Sequence, residues 1–248
     1  MTMEKKTIII SGLSVTYLIS PSFNPDQAIV FLPGWKSPAS LFCSVLTETS
    51  NLVAVNFPGW PESERPRTTW GLAEYALFLK EFLVKLNITP SVLVGHSVGA
   101  AIAVEYLSHV GQAAKFILVD GAIIRERTGK TGALFIGAKI FRFFLPFINK
   151  KWRARLAGRI LSEDYLQAGE MEDIYRRLIS EDRQKDFSGL NLPVTMIWGE
   201  NDQATPFAQA TRLKSLRPLT TLEVIPDAGH YCFLDQPERF RSIMSKVL

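Results

Sequence analysis

Apolar residues in this chain arrive in short continuous runs separated by amphipathic stretches. AIVFL (28 to 32), NLVAVN (51 to 56), SVLVG (91 to 95), KFILVD (115 to 120), VTMIWG (194 to 199) and TLEVIP (221 to 226) are runs of strand length that end in turn residues. Between them, Gly71 to Leu86 places Leu72, Tyr75, Ala76, Leu79, Phe82 and Leu83 on one helical stripe. Val98 to Val110, Pro206 to Leu216 and the segment from Pro237 also read as helices. Continuously apolar strands alternating with helices predict an α/β fold, a mostly parallel central sheet covered on both faces. KTIIIS and VTYLIS, joined by a turn at Ser11 to Ser14, predict an opening hairpin.

The alternation stops between about Gly121 and Ser188, a stretch that reads as entirely helical. The expected organisation is therefore a core formed by 1-121 and 188-248, with 122-187 inserted as a helical cap or lid. Charge sharpens the distinction. Ten basic residues and one acid lie between Arg125 and Arg159, so this segment carries +9 of a formal net charge of +4, leaving −5 for the rest. The same segment is rich in phenylalanine, and Phe141 and Phe144 are candidates to line an apolar substrate pocket under the lid.

At 248 residues with 47% hydrophobic content, the chain has enough apolar material for a substantial core. Cys43 and Cys232 fit neither a disulfide framework nor a cysteine-based metal site. The first twenty residues lack an A-x-A-like cleavage site, and no run of about 18 apolar residues exists, so a cytoplasmic protein is expected.

The chemistry centres on Gly95-His96-Ser97-Val98-Gly99, a G-x-S-x-G sequence with a strand before it and a helix after it. A sharp strand-to-helix turn would expose the Ser97 hydroxyl at a helix N-terminus, where free amides favour developing negative charge. A serine there also suits a simple helix cap. To act as a nucleophile it needs a base and an acid that orients the base. His230 lies after the last strand, at the edge expected for Ser97. His96 suits packing or a place at the pocket entrance, and His109 suits the end of its helix. Asp202 and Asp120 each follow a strand and satisfy the order Ser, Asp, His, so order leaves both open.

Taken in order, LPGW (32 to 35), FPGWPES (57 to 63), VGHSVG (94 to 99), WGENDQATP (198 to 206) and AGHYCFLDQPERF (228 to 240) resemble the α/β-hydrolase fold superfamily, in its serine esterase and lipase-like branch with a helical lid. The resemblance covers the chain outside the helical block. It implies Asp202 as the acid, in a G-x-x-D segment after the penultimate strand. It also implies an oxyanion hole formed by the backbone amides of Trp35 and Val98. Two departures affect loop detail: Pro33-Gly34 stands where the family often has His-Gly, and Asn56 opens the element that usually begins with Asp.

The implied function is hydrolysis of carboxylic esters with small to medium apolar acyl groups through Ser97, His230 and Asp202, requiring neither metal nor organic cofactor. Trp35 and His96 join Phe141 and Phe144 as candidate pocket residues. The alternatives are a carbon–carbon bond hydrolase of diketone ring-cleavage products, a lactonase, or a non-catalytic binding protein of the same fold. The basic segment 125-159 suits an anionic partner: an acyl carrier protein, a substrate carboxylate or a membrane surface. No nucleic acid is expected, because no binding motif accompanies the charge.

Overall fold

The computed structural model describes residues 2–46, 49–125 and 169–248. Eight strands form one sheet: β1 (Glu4–Ile10), β2 (Leu13–Ile19), β3 (Ile29–Leu32), β4 (Leu52–Val55), β5 (Val92–His96), β6 (Lys115–Val119), β7 (Val194–Gly199) and β8 (Thr221–Ile225). Their order across the sheet is β1-β2-β4-β3-β5-β6-β7-β8. The opening hairpin is antiparallel, and β2 also meets β4 antiparallel; every pairing from β4 to β8 is parallel. The expected mostly parallel sheet is present, with the hairpin as its antiparallel margin.

Alternating side chains from the parallel strands enter two separate cores. Val30, Leu32, Leu93, Phe116, Leu118, Met196 and Trp198 face one way, into the core shared with α2 (Leu72–Lys85) and α3 (Val98–His109). Phe31, Val92, Val94, Ile117, Val119 and Ile197 face the other, into a core closed by α1 (Ala39–Val45) and by helices near the C-terminus. Burial on both faces is why these strands read as unbroken apolar runs.

The helical block is described only in part. α4 (Glu172–Ser180) and α5 (Gln184–Gly189) follow a short 3-10 turn at Gly169–Met171, in line with helical expectation. Residues 121–125 depart from that expectation and form an irregular segment. Ala122 spends its amide on Ser97 O, and Ala122, Ile123 and Ile124 are buried in the sheet core, so tertiary bonds take the place of a helical turn here. Phe141 and Phe144, most of the basic segment and most of the expected cap lie outside the described residues.

Beyond β7, α6 (Phe207–Leu216), α7 (Cys232–Asp235) and α8 (Pro237–Val247) complete the fold. Among the described residues, no helix is long and apolar enough to cross a membrane.

Asn56, one of the departures from the family pattern, holds three segments together at the end of β4. Its Oδ1 accepts the Ala39 amide at 2.8 Å, its Nδ2 donates to Thr16 Oγ1 at 2.9 Å, and its carbonyl accepts the Ser63 hydroxyl at 2.8 Å. The amide side chain supplies an acceptor and a donor at once, which a carboxylate cannot do. Asn56→Ala would strand two buried partners and should lower unfolding free energy by about 2 to 4 kcal/mol. Urea denaturation checks this, and a midpoint unchanged from wild type would refute the role.

Candidate active site

Parallel strands end at one edge of the sheet, so the residues just beyond β5, β6 and β7 are neighbours. That register brings Ser97, Asp120 and Asp202 together, and the loop after β8 adds His230. Ser97 sits in the turn between β5 and α3 with φ 52° and ψ −119°, a conformation that costs a non-glycine residue about 1 to 3 kcal/mol. Three backbone hydrogen bonds hold it: Ser97 N donates to Val119 O at 3.1 Å, and Ser97 O accepts the amides of Ala100 at 3.1 Å and Ala122 at 3.0 Å.

The flanking glycines are required by contact. A Cβ on Gly95 would lie 2.6 Å from Ala100 Cα, and one on Gly99 would lie 2.2 Å from Leu32 O. Both obstacles are backbone. Gly99 therefore lets α3 press against the end of β3, the strand that leads into Trp35.

His230 bridges serine and acid. Its Nε2 is 2.9 Å from Ser97 Oγ and its Nδ1 is 2.8 Å from Asp202 Oδ2. Asp202 is buried and its acceptor positions are filled. Oδ1 accepts the amides of Ala204 at 2.7 Å and Thr205 at 2.9 Å, while Oδ2 accepts the Thr205 hydroxyl at 2.6 Å as well as His230. Burial by itself would raise the Asp202 pKa. The contacts with His230 and Thr205 outweigh it and hold the carboxyl below its ordinary range, so it is ionised at neutral pH. An ionised Asp202 fixes the Nδ1–H tautomer of His230, which leaves Nε2 to accept the serine proton.

Asp120, the rival acid, has a different place. Its Oδ1 accepts the Gly199 amide at 2.8 Å, and its side chain is fully buried. Burial pushes its pKa up to about 7, against the opposing Cys232 thiol and Gly199 amide, with the Asp202 charge adding to the rise. The His230 Nδ1 bond goes to Asp202 and not to Asp120.

His96 is 1% exposed and lies behind His230 instead of on an accessible pocket wall. Its Nε2 donates to His230 O at 2.8 Å, and its ring packs against His230, Tyr231 and Phe233. Burial, then repulsion from His230, lowers its pKa to about 3, so the ring is neutral. Trp35 packs its own ring on Trp60 and Tyr175, each with centroids 5.1 Å away. The Trp60 indole donates to Gly34 O, tying down the loop that contains Trp35. Val98 is the first residue of α3, where an amide has no intrahelical acceptor. Thr205 and Tyr175 were not singled out by sequence; the threonine three residues after Asp202 was the available signal for the first.

His109 lies at the end of α3, as expected, beside Glu105 and Asp186. These three groups bring ligand-type atoms within 4.8 Å of one another. Arg183 already lies 2.6 Å from Glu105 and 3.7 Å from Asp186, compensating the charge a cation would need.

A model of the alpha/beta hydrolase family matches residues 29–243, a span that includes every residue of this site. The chain belongs to that family. Among curated relatives, a putative carbamate hydrolase, RutD, from Shigella flexneri is 25% identical, with 92% of this chain and 93% of the relative covered. Among solved structures, an esterase from Exiguobacterium antarcticum has a TM-score of 0.74 at 22% identity, with 98% of each chain covered. Est816, described as an N-acyl homoserine lactone degrading enzyme, has a TM-score of 0.75 at 20% identity, with 98% of this chain and all of the other covered. For this alpha/beta hydrolase the comparisons support hydrolase chemistry.

The raised pKa of Asp120 has a stability consequence. The carboxyl is protonated in the fold below about 7 but ionises in the unfolded chain near 3.8. Its contribution is full below about pH 4 and is lost as pH rises through about 7. Asn keeps an acceptor for Gly199 without an ionisable proton. The stability of wild type relative to Asp120→Asn should therefore fall steadily between about pH 4 and pH 8, as read by thermal unfolding, and a pH-independent difference would contradict a buried neutral Asp120.

Proposed function

We propose that the protein is a serine hydrolase that cleaves carboxylic esters of small to medium apolar acyl groups. One observation carries this reading: the continuous row from Ser97 Oγ to His230 Nε2 at 2.9 Å and from His230 Nδ1 to Asp202 Oδ2 at 2.8 Å. His230 takes the hydroxyl proton as Ser97 Oγ bonds to the ester carbonyl carbon. The amides of Trp35 and Val98 hold the resulting oxyanion. Collapse breaks the carbon–oxygen bond to the alcohol, which leaves with the proton from His230. Water, deprotonated by His230, then attacks the acyl-enzyme, releasing the acid and restoring Ser97.

No metal or organic cofactor enters these steps. Asp202 stays ionised throughout, and its role is to orient His230 and stabilise the imidazolium. His96 supports the same ring from behind through the His230 carbonyl. Segment 122-187 is proposed to cap the acyl side of the site, with α4 contributing Tyr175 against Trp35. Lactones are cyclic esters and fall within the same chemistry. The esterase and lactone-degrading relatives of like fold support ester carbonyls as substrates.

Ser97→Ala tests the assignment with the serine removed and its backbone retained. It should lower kcat for p-nitrophenyl esters at least about a thousandfold while leaving circular dichroism unchanged. Turnover within a few fold of wild type would overturn the proposal.

A further inference from the structure

Arg125 lies at the end of the segment after β6 that is bonded to the Ser97 turn. Ala122 N donates to Ser97 O at 3.0 Å, Arg183 N donates to Ile123 O at 3.0 Å, and Arg125 N donates to Asp182 Oδ2 at 2.8 Å. Three residues span at most about 11 Å, so the Arg125 backbone lies within that distance of the residue bonded to Ser97. Its side chain has an unusual accounting. Nε and Nη2 are both buried, and neither has a hydrogen-bond acceptor among the described residues.

Asp182 does not fill that gap. Its carboxylate accepts the Arg125 and Gln184 amides, at 2.8 Å and 3.0 Å, and the Gln184 side chain at 2.7 Å. The other group electrostatically coupled to Arg125 is Tyr175, whose ring lies 5.1 Å from that of Trp35. Trp35 Nε1 is also buried without an acceptor among the described residues. Tyr175 is thus coupled electrostatically to Arg125 and packed by its ring on Trp35, which follows Gly34 in the loop after β3. Burial lowers the Arg125 pKa, yet a guanidinium keeps its charge in proteins.

What these two donors lack among the described residues is an acceptor that carries negative charge. Nε and Nη2 form one edge of the guanidinium, a fork whose two parallel N–H groups match the two oxygens of a carboxylate. A phosphate dianion would bring two charges to one cation, so a carboxylate is the better match.

We propose that Arg125 binds a carboxylate of the substrate, and that the substrate is a monoester of a dicarboxylic acid: the guanidinium holds the free carboxylate while Ser97 attacks the ester carbonyl. This deepens the serine-hydrolase reading and rests on it for the second half. The acyl group then runs from Ser97 past Trp35 to Tyr175 and Arg125, apolar along its length and charged at its end.

The test compares p-nitrophenyl monoesters of glutaric and adipic acid with p-nitrophenyl pentanoate and hexanoate, at constant ionic strength. Wild type should favour each charged ester over its neutral counterpart by about tenfold or more in kcat/KM. Arg125→Gln should reduce that ratio about tenfold to hundredfold, mainly through KM, and Arg125→Lys should restore part of it. A wild type without charge preference, or a ratio unchanged in Arg125→Gln, would overturn the proposal. A second measurement needs no turnover. Glutarate and adipate should raise the Tm of Ser97→Ala and leave that of the Ser97→Ala, Arg125→Gln double variant unchanged, whereas equal shifts or none in both would contradict the carboxylate site. If no ester is cleaved but the Arg125-dependent shift appears, the carboxylate site stands and the hydrolase reading fails. If neutral esters are cleaved without charge preference and no shift appears, the carboxylate site fails and the hydrolase reading stands.

Discussion

Close approach of α3 to the end of β3 is the constraint on which the rest of the site depends. It exists because Gly99 has no side chain to meet Leu32 O and Gly95 none to meet Ala100. The approach forces Ser97 into positive φ, and bonds to Val119, Ala100 and Ala122 hold it there. Two of those partners have a second role. Val119 ends the strand that leads to Asp120, and Ala122 begins the path to Arg125. The serine turn is therefore both the proposed catalytic feature and a junction, at which strain of about 1 to 3 kcal/mol is held by the packing of the whole sheet.

Electrostatics separates groups that look alike in sequence. Asp120 and Asp202 both follow strands and both are buried. Asp202 gathers two amides, a hydroxyl and an imidazole, and remains charged; Asp120 has the Gly199 amide and the Cys232 thiol, and burial prevails. His96 and His230 divide similarly. His96 is sealed behind the site as a neutral donor, while His230 reaches Ser97. One ionised acid next to one proton-accepting ring is the division of labour that proton transfer from Ser97 requires.

Much of this was legible in local sequence. β3 to β6 were legible because burial on both faces leaves few polar positions to interrupt a strand, whereas β8, at the sheet edge and half exposed, was marked by its strand length and closing turn. The G-x-S-x-G turn was legible because its two glycines sit at fixed spacing around the serine, although the contact that requires Gly99 comes from Leu32, far away in sequence. Two helices were not foreseen. α1 and α7, at seven and four residues, are too short to show a helical period and owe their form to packing of Phe42 and Phe233 in a common core. The order Ser, Asp, His could not choose between Asp120 and Asp202, since the choice is made by Thr205 and by loop geometry. The roles of Tyr175 and Arg125 depend on contacts across distant segments, which periodicity does not register. Arg125 was visible only as one charge among ten.

In the proposed function, the strained turn makes Ser97 an activated nucleophile. Fluorophosphonate labelling of the folded protein, followed by peptide mapping, addresses it directly. One phosphonyl group per chain is expected, on Ser97, with labelling lost on unfolding. A folded protein that remains unlabelled, or that carries the group on another residue, would contradict it.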